Sequence, residues 1–265
     1  MKKGLSAMLV IAGISIWYTD GQAQMTGRDV MQKVDTQQEY TTQIARSKMV
    51  LINKAGKTRE RDVLRYEKSY NNAKGIDTKA LIFFEAPADI RGTGLLIWGY
   101  TDPQKDDDRW LYLPALKKVR RIAGESKDEY FMGTDFTYDD IGGREVDQDM
   151  HKLLGQEDVD GVKCYKLESV PVNKNDMYGK KIAWVIPEKW VVARVEFYDK
   201  KGVLMKELKA SDVRNVNGIW TAFVMRMDNY LEKHQTVLEI KEIKYNQAIN
   251  DEVFTTITLE RGQVR

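Results

Sequence analysis

The stretch DRWLYLPALKKVRRIAGESKDEYFMGTDFTYDDIGGR, residues 108–144, decides how the rest of the chain is read. Its first half holds two strand-like runs, 109–113 and 116–122, hinged at Pro114-Ala115. Short runs rich in aromatic and aliphatic residues favour strand over helix, and a proline interrupts pairing. Its second half, residues 129–143, is an acidic, aromatic, glycine-rich loop. That loop has no histidine, no metal-ligand spacing and no nucleophile beside a base. Such a composition suits contact rather than catalysis.

Working outward, residues 26–38 predict a helix, capped by Thr26 or Asp29 and striped by Val30, Met31 and Val34. The period then changes to two. Residues 40–53 and 58–71 read as a hairpin turned at Ala55-Gly56-Lys57. Arg59 and Arg61 alternating with Thr58, Glu60 and Asp62 predict one solvated face. Residues 79–85 and 94–100 form the next pair across a turn-rich link, 86–93. Beyond the acidic loop, strands are expected over 151–157, 162–170, 181–187, 191–198, 204–216, 219–229 and 235–245. Asn217-Gly218 is the strongest hairpin signal among them. Residues 250–254 read as a short helix and 255–259 as a last strand. So many strands with so little helix predict a mainly β protein: a single unclosed antiparallel β-barrel, a strongly curved sheet with a few short helices as lid. No fixed-period repeat and no compositional linker divide it, so residues 24–265 are expected to form one domain.

The N-terminus carries a separate signal. Lys2 and Lys3 precede an apolar run over 5–17, and Gly21-Gln22-Ala23 places small residues where a signal peptidase cuts. Residues 1–23 are therefore expected to be a cleaved signal peptide, with the mature protein exported to the periplasm. No other segment has the length and apolarity of a transmembrane helix. A net charge of +2 over 265 residues sets up no field that would select nucleic acid. Cys164 has no second cysteine to pair with, and its apolar alternation predicts a small buried strand residue.

No catalytic pattern is complete in the sequence. Gly56-Lys57-Thr58 resembles the end of a phosphate-binding loop, but Leu51 stands where the first glycine belongs and a strand follows. His151 and His234 belong to no HExxH or HxH pattern, and no GxSxG is present. Asp106-Asp107-Asp108 reads as a solvated turn, and Asp135, Asp139 and Asp140 lack the alternating oxygen spacing of a calcium loop. No catalytic residue, cofactor or metal is expected. What remains is an apolar excess. Leu81-Ile82-Phe83-Phe84, Leu95-Leu96-Ile97-Trp98 and Trp110-Leu111-Tyr112-Leu113 are apolar on both strand faces. Such strands are either covered twice or line a hydrophobic cavity. Met132, Met205, Met225 and Met227 suit a pocket for varied alkyl chains.

Three motifs then carry a family likeness: FEAPADIRGTGLL at 84–96, WLYLPALKKVRRI at 110–122 and FMGTDFTYDD at 131–140. With them, residues 30–259 resemble the periplasmic outer-membrane lipoprotein-sorting proteins (the LolA/LolB-like group), in the branch associated with RND/MMPL-type exporters. The resemblance implies an unclosed β-barrel with a helical lid, whose cavity holds acyl chains of lipids or lipoproteins on their way to the outer membrane, without covalent chemistry. It also implies an RND/MMPL-type inner-membrane transporter as a partner, and no nucleic acid. The alternative is a docking subunit of such an exporter that binds no lipid. Phe83, Leu95, Ile97, Trp98, Trp110 and Tyr112 are the expected cavity wall. Arg91, Arg120, Arg121, Phe131, Asp135, Phe136 and Tyr138 are the expected lid or docking loop, with the arginines pairing to Asp135, Asp139 or Asp140.

Overall fold

A computed structural model describes residues 25–37, 40–70 and 73–264; the expected signal peptide lies outside the described residues. Strand alternation builds one sheet. In chain order its strands are β1 (Thr42–Ile52), β2 (Thr58–Ser69), β3 (Ile76–Ala86), β4 (Gly94–Tyr100), β5 (Asp108–Leu113) and β6 (Lys118–Ile122). After a long connection come β7 (Asp149–Val159), β8 (Val162–Pro171), β9 (Lys180–Ile186), β10 (Val191–Tyr198), β11 (Leu204–Val216), β12 (Ile219–Asn229) and β13 (His234–Tyr245). All thirteen pair antiparallel, in the order β6-β5-β4-β3-β2-β1-β13-β12-β11-β10-β9-β8-β7, as a curved sheet that does not close. Tight turns set the register. Asn217-Gly218 and Asp160-Gly161 have positive φ at both positions, the twist that a two-residue hairpin needs.

Register also sorts the side chains into two faces. Directly opposed residues in antiparallel strands point the same way. The pairs Ile82↔Leu95, Leu95↔Leu111 and Val63↔Phe84 put these residues on one face, here the inner face. Residues 123–148, which join β6 to β7, lie across it as a strap, and Phe131 and Tyr138 fill the cluster around Ile82, Phe84, Leu95 and Ile97. Helix α1 (Gly27–Gln37) covers the inner face at the other end, where Val30 and Val34 pack on Leu167, Ala183 and Val185. Gly27 has to be glycine, because a Cβ there would stand 2.7 Å from the backbone carbon of His151.

The outer face of the β2–β6 half is closed by the C-terminal segment. Ile249, Phe254 and Leu259 pack with Leu81, Phe83 and Leu96. The expected last strand at 255–259 is instead helix α3 (Thr256–Arg261). Its β-branched run favours strand locally, but both ends are capped. The Thr255 side chain accepts from the Thr258 amide at 3.2 Å, and Gly262 takes the left-handed conformation at φ 68°. Helical geometry buries Leu259 and leaves Ile257 exposed. Two further expectations change. Leu116 belongs to the β5–β6 turn, where the Leu116 amide donates to the Leu113 carbonyl at 3.0 Å, and β6 begins at Lys118. Arg61 is buried rather than solvated, because its register places it on the inner face beside Met49 and Phe84.

Candidate functional site

The strap is held by charge. Three aspartates and one arginine on it meet charged and hydroxyl groups from widely separated parts of the sheet. At one end, Arg109 of β5 donates through Nη2 to Asp139 Oδ1 at 2.8 Å and to Asp107 Oδ2 at 2.9 Å. In the middle, Lys206 of β11, fully buried at 0% exposure, donates to Asp140 Oδ2 at 2.5 Å and to the Asp135 carbonyl at 3.2 Å. Thr236 of β13 donates to Asp135 Oδ2 at 2.7 Å, and His234 Nδ1 stands 2.7 Å from the same oxygen. At the far end, Arg144 grips Asp149 of β7 with Nε at 3.0 Å and Nη2 at 2.7 Å, and lies 2.9 Å from Asp176. Burial opposes the charge on Arg144, but its hydrogen bonds and charge contacts with Asp149 and Asp176 raise its pKa above the ordinary guanidinium value. Burial likewise works against Asp149, yet Lys181 and Arg144 hold its carboxyl below the usual range.

Local sequence makes these contacts fit. Thr137 caps the short helix α2 (Tyr138–Gly142). Its hydroxyl accepts from the Asp140 amide at 3.0 Å, and its own amide donates to Asp140 Oδ2 at 2.7 Å. Asp140 therefore serves helix cap and ion pair together. Tyr178 adds a donor to Asp140 Oδ1 at 2.8 Å. Gly142 lets α2 approach Arg109, whose Nη2 would stand 2.8 Å from a Cβ.

Each residue expected from the sequence has a definite place. Leu95 and Ile97 face inward, beneath Phe131 and Tyr138 of the strap. Phe83, Trp98, Trp110 and Tyr112 face outward and pack with the C-terminal segment; Trp98 Nε1 donates to the Phe254 carbonyl at 3.1 Å. A one-residue offset along a strand reverses the face, and an apolar run without alternation does not say which residue is which. Phe131, Asp135 and Tyr138 are buried inward, while Phe136 packs beside Tyr178, Phe197 and Met227. The arginines expected to pin the loop do not do so on the aspartates named. Arg91 donates to the Glu85 carbonyl at 2.9 Å, Arg121 pairs with Asp108, and Arg120 reaches Glu129 at 3.5 Å on the surface. Arg109, Arg144, Lys206 and His234 hold those aspartates instead. The only sequence signal for Arg109, Lys206 and His234 was inward register, which needs the strand faces to be known.

Two open grooves flank α1, of about 580 Å³ along Asp29, Lys33 and Trp190 and about 490 Å³ along His151 and Leu153. Neither is lined by the expected wall. Among the described residues no group of three or more histidine, cysteine or acidic side chains could hold a metal ion, and no helix is long and apolar enough to cross a membrane.

Solved structures share this architecture. A LolA superfamily protein from Nitrosomonas europaea superposes with a TM-score of 0.68 at 20% identity, over 87% of this chain and 98% of that one. A domain from Vibrio parahaemolyticus, described as an outer-membrane lipoprotein-sorting protein, has a TM-score of 0.82 at 30% identity, over 89% and 98%. The curved open sheet with its inner face under a strap and a helix is thus a LolA-like half-barrel of the lipoprotein-sorting class. A DUF1329 family protein from Desulfovibrio piger aligns at 34% identity and a TM-score of 0.84, over 88% and 97%. A model of an uncharacterized protein family matches residues 76–261. The chain belongs to this LolA-like DUF1329 family. No curated protein matches it. The RND/MMPL-type partner gains no support from these comparisons.

Proposed function

We propose that this protein is a periplasmic carrier that binds acyl chains of lipids or lipoproteins on its inner face and hands them on toward the outer membrane without covalent catalysis. One observation supports this above the rest. An apolar row crosses the inner face from β1 to β11. Register aligns Met49 of β1, Leu238 of β13, Met225 of β12 and Ala210 of β11 in one row. Phe223, Ile240 and Ile243 extend it, and these three and Met225 belong to none of the apolar clusters that α1, the strap or the C-terminal segment completes. Methionines in such a row adapt to chains of differing shape.

The energetics suit a carrier. Each buried methylene contributes about 0.8 kcal/mol, so ten of them contribute about 8 kcal/mol before the cost of association is subtracted. That is enough to hold a chain and little enough to release it. Leu95 and Ile97 join the site only when cargo displaces Phe131 and Tyr138, so full loading requires the strap to shift. The similarity to a lipoprotein-sorting domain supports the same reading. The docking alternative needs the strap aromatics on the surface, and Phe131 and Tyr138 are buried. Native mass spectrometry of the mature protein, with lipid extraction, tests the proposal. Bound lipid, or saturable uptake of a fluorescent fatty acid that Met225→Arg abolishes, is the expected result. A lipid-free protein that takes up no fatty acid would refute it.

A further inference from the structure

Among the described residues, one buried inner-face cation stands apart from the others. Arg65, Arg109, Lys181 and Lys206 each meet a carboxylate on Glu67, Asp139, Asp149 and Asp140 respectively. Arg61 does not. It is 8% exposed, its guanidinium lies over the Phe84 ring at 5.2 Å, and its buried Nη1 has no hydrogen-bond partner among the described residues. Burial, with Arg59 two residues away on the same face, pushes its pKa below the ordinary value, and Asp89 only partly compensates. A guanidinium kept inside without a hydrogen-bonded counter-charge destabilises the empty protein, and an arriving anion would relieve it. Its planar fork matches a carboxylate or a phosphate.

Position supplies the second half of the argument. Arg61 pairs in register with Met49, which pairs with Leu238, which pairs with Met225. The unpaired cation therefore stands at one end of that apolar row. We infer that Arg61 receives the anionic end of the cargo, a carboxylate or phosphate oxyanion, while the acyl chain runs along Met49, Leu238 and Met225. This inference rests on the carrier reading given above.

Oleate, oleyl alcohol and inorganic phosphate, each competing against a fluorescent fatty acid, separate the possibilities. Wild type is expected to bind oleate about tenfold or more tighter than oleyl alcohol, the difference a charge-assisted hydrogen bond makes. Arg61→Gln should weaken oleate to the level of oleyl alcohol and leave the alcohol unchanged, and Arg61→Lys should fall between. Phosphate alone should not compete. Equal binding of oleate and alcohol by wild type would overturn the role of Arg61 and leave the carrier reading standing. Failure of both to bind would overturn the two together. Phosphate competing as well as oleate would overturn the lipid assignment. Arg61→Gln should melt at or above the wild-type temperature without ligand, and a marked loss would overturn the claim that the charge is unpaired.

Discussion

Lys206→Met is the perturbation that reads most directly on the strap. The lysine is wholly buried, with Asp140 Oδ2 at 2.5 Å and the rings of Phe197, Tyr178 and Tyr130 at 5.2, 5.3 and 5.6 Å from its Nζ. Methionine keeps most of the volume and deletes the charge. Asp140 is then left almost buried with only the Thr137 amide and the Tyr178 hydroxyl as donors. Removing one partner of a buried pair costs about 3–5 kcal/mol, chiefly because the other charge remains uncompensated. For a chain of this size each kcal/mol moves Tm by about 2–4 °C, so a fall of roughly 6–20 °C is expected by calorimetry. Adding Asp140→Asn to Lys206→Met should recover most of it, since asparagine still accepts from the Thr137 amide and carries no charge. If the loss is local to the strap, the amides of Asp135, Thr137 and Asp140 should exchange about a hundred- to several-thousandfold faster, with β1 and β2 unchanged. A Tm within about 2 °C of wild type, or a double variant no better than the single, would refute the reasoning.

Two further outcomes follow from the same contacts. Gly142→Ala places a methyl 2.8 Å from Arg109 Nη2, so the Arg109–Asp139 bond has to yield; a loss of about 1–3 kcal/mol is expected by chemical denaturation, and none would mean that the arm moves freely. The pH profile has a definite sign. Burial, with Asp77 and Asp35 nearby, pushes the Glu145 carboxyl from 4.5 up to about 7, and burial with Asp139 beside it pushes Asp107 up to about 6 against the pull of Arg109. Both bind protons more tightly folded than unfolded, so their stabilisation is complete below the unfolded pKa and is lost as pH rises through 6 and 7. Tm should therefore rise between about pH 8 and about pH 5.5, and Glu145→Gln should make that rise smaller. An equal or lower Tm at the acidic end would contradict this. Asp149, whose pKa is depressed, loses its contribution only at lower pH.

The sheet was legible because alternation and turn chemistry are local. Asn217-Gly218 and Asp160-Gly161 fix their hairpins with four residues each, and Leu204–Val216 and Ile219–Asn229 show their strand period without reference to anything distant. The site was less legible because it depends on which face a residue takes. Phe83 and Leu95 look alike in apolar runs, yet one lies under α3 and the other under Phe131. Arg61 and Arg59 sit two apart on one face; the register beside Met49 and the Phe84 ring bury the first, while the second is exposed near the strand end. Thr255–Leu259 misleads for a related reason. Side-chain caps and a left-handed glycine outweighed β-branched propensity, and only the packing of Leu259 shows the outcome.

The strap's course has a topological cause. β6 and β7 follow each other in sequence but form the two opposite edges of the sheet, so residues 123–148 must cross its whole width. Thirteen strands laid flat would span about 58 Å, from spacings of about 4.8 Å. Fully extended, the strap could reach that far, at roughly 3.4 Å per residue. It is not extended. It contains α2 and three single-turn helices, each residue of which advances only about 1.5–2 Å. It also doubles back, since Tyr130 bridges antiparallel to Thr137. What remains is too short for a flat sheet, so the edges have to curl toward each other. The ion pairs fall where that geometry puts them: Asp139 on Arg109 of β5, Asp140 on Lys206 of β11, and Arg144 on Asp149 of β7. The strap's charged residues are thus the fastening between the two halves of the sheet, and the curvature that makes an inner face is inseparable from the loop that covers it.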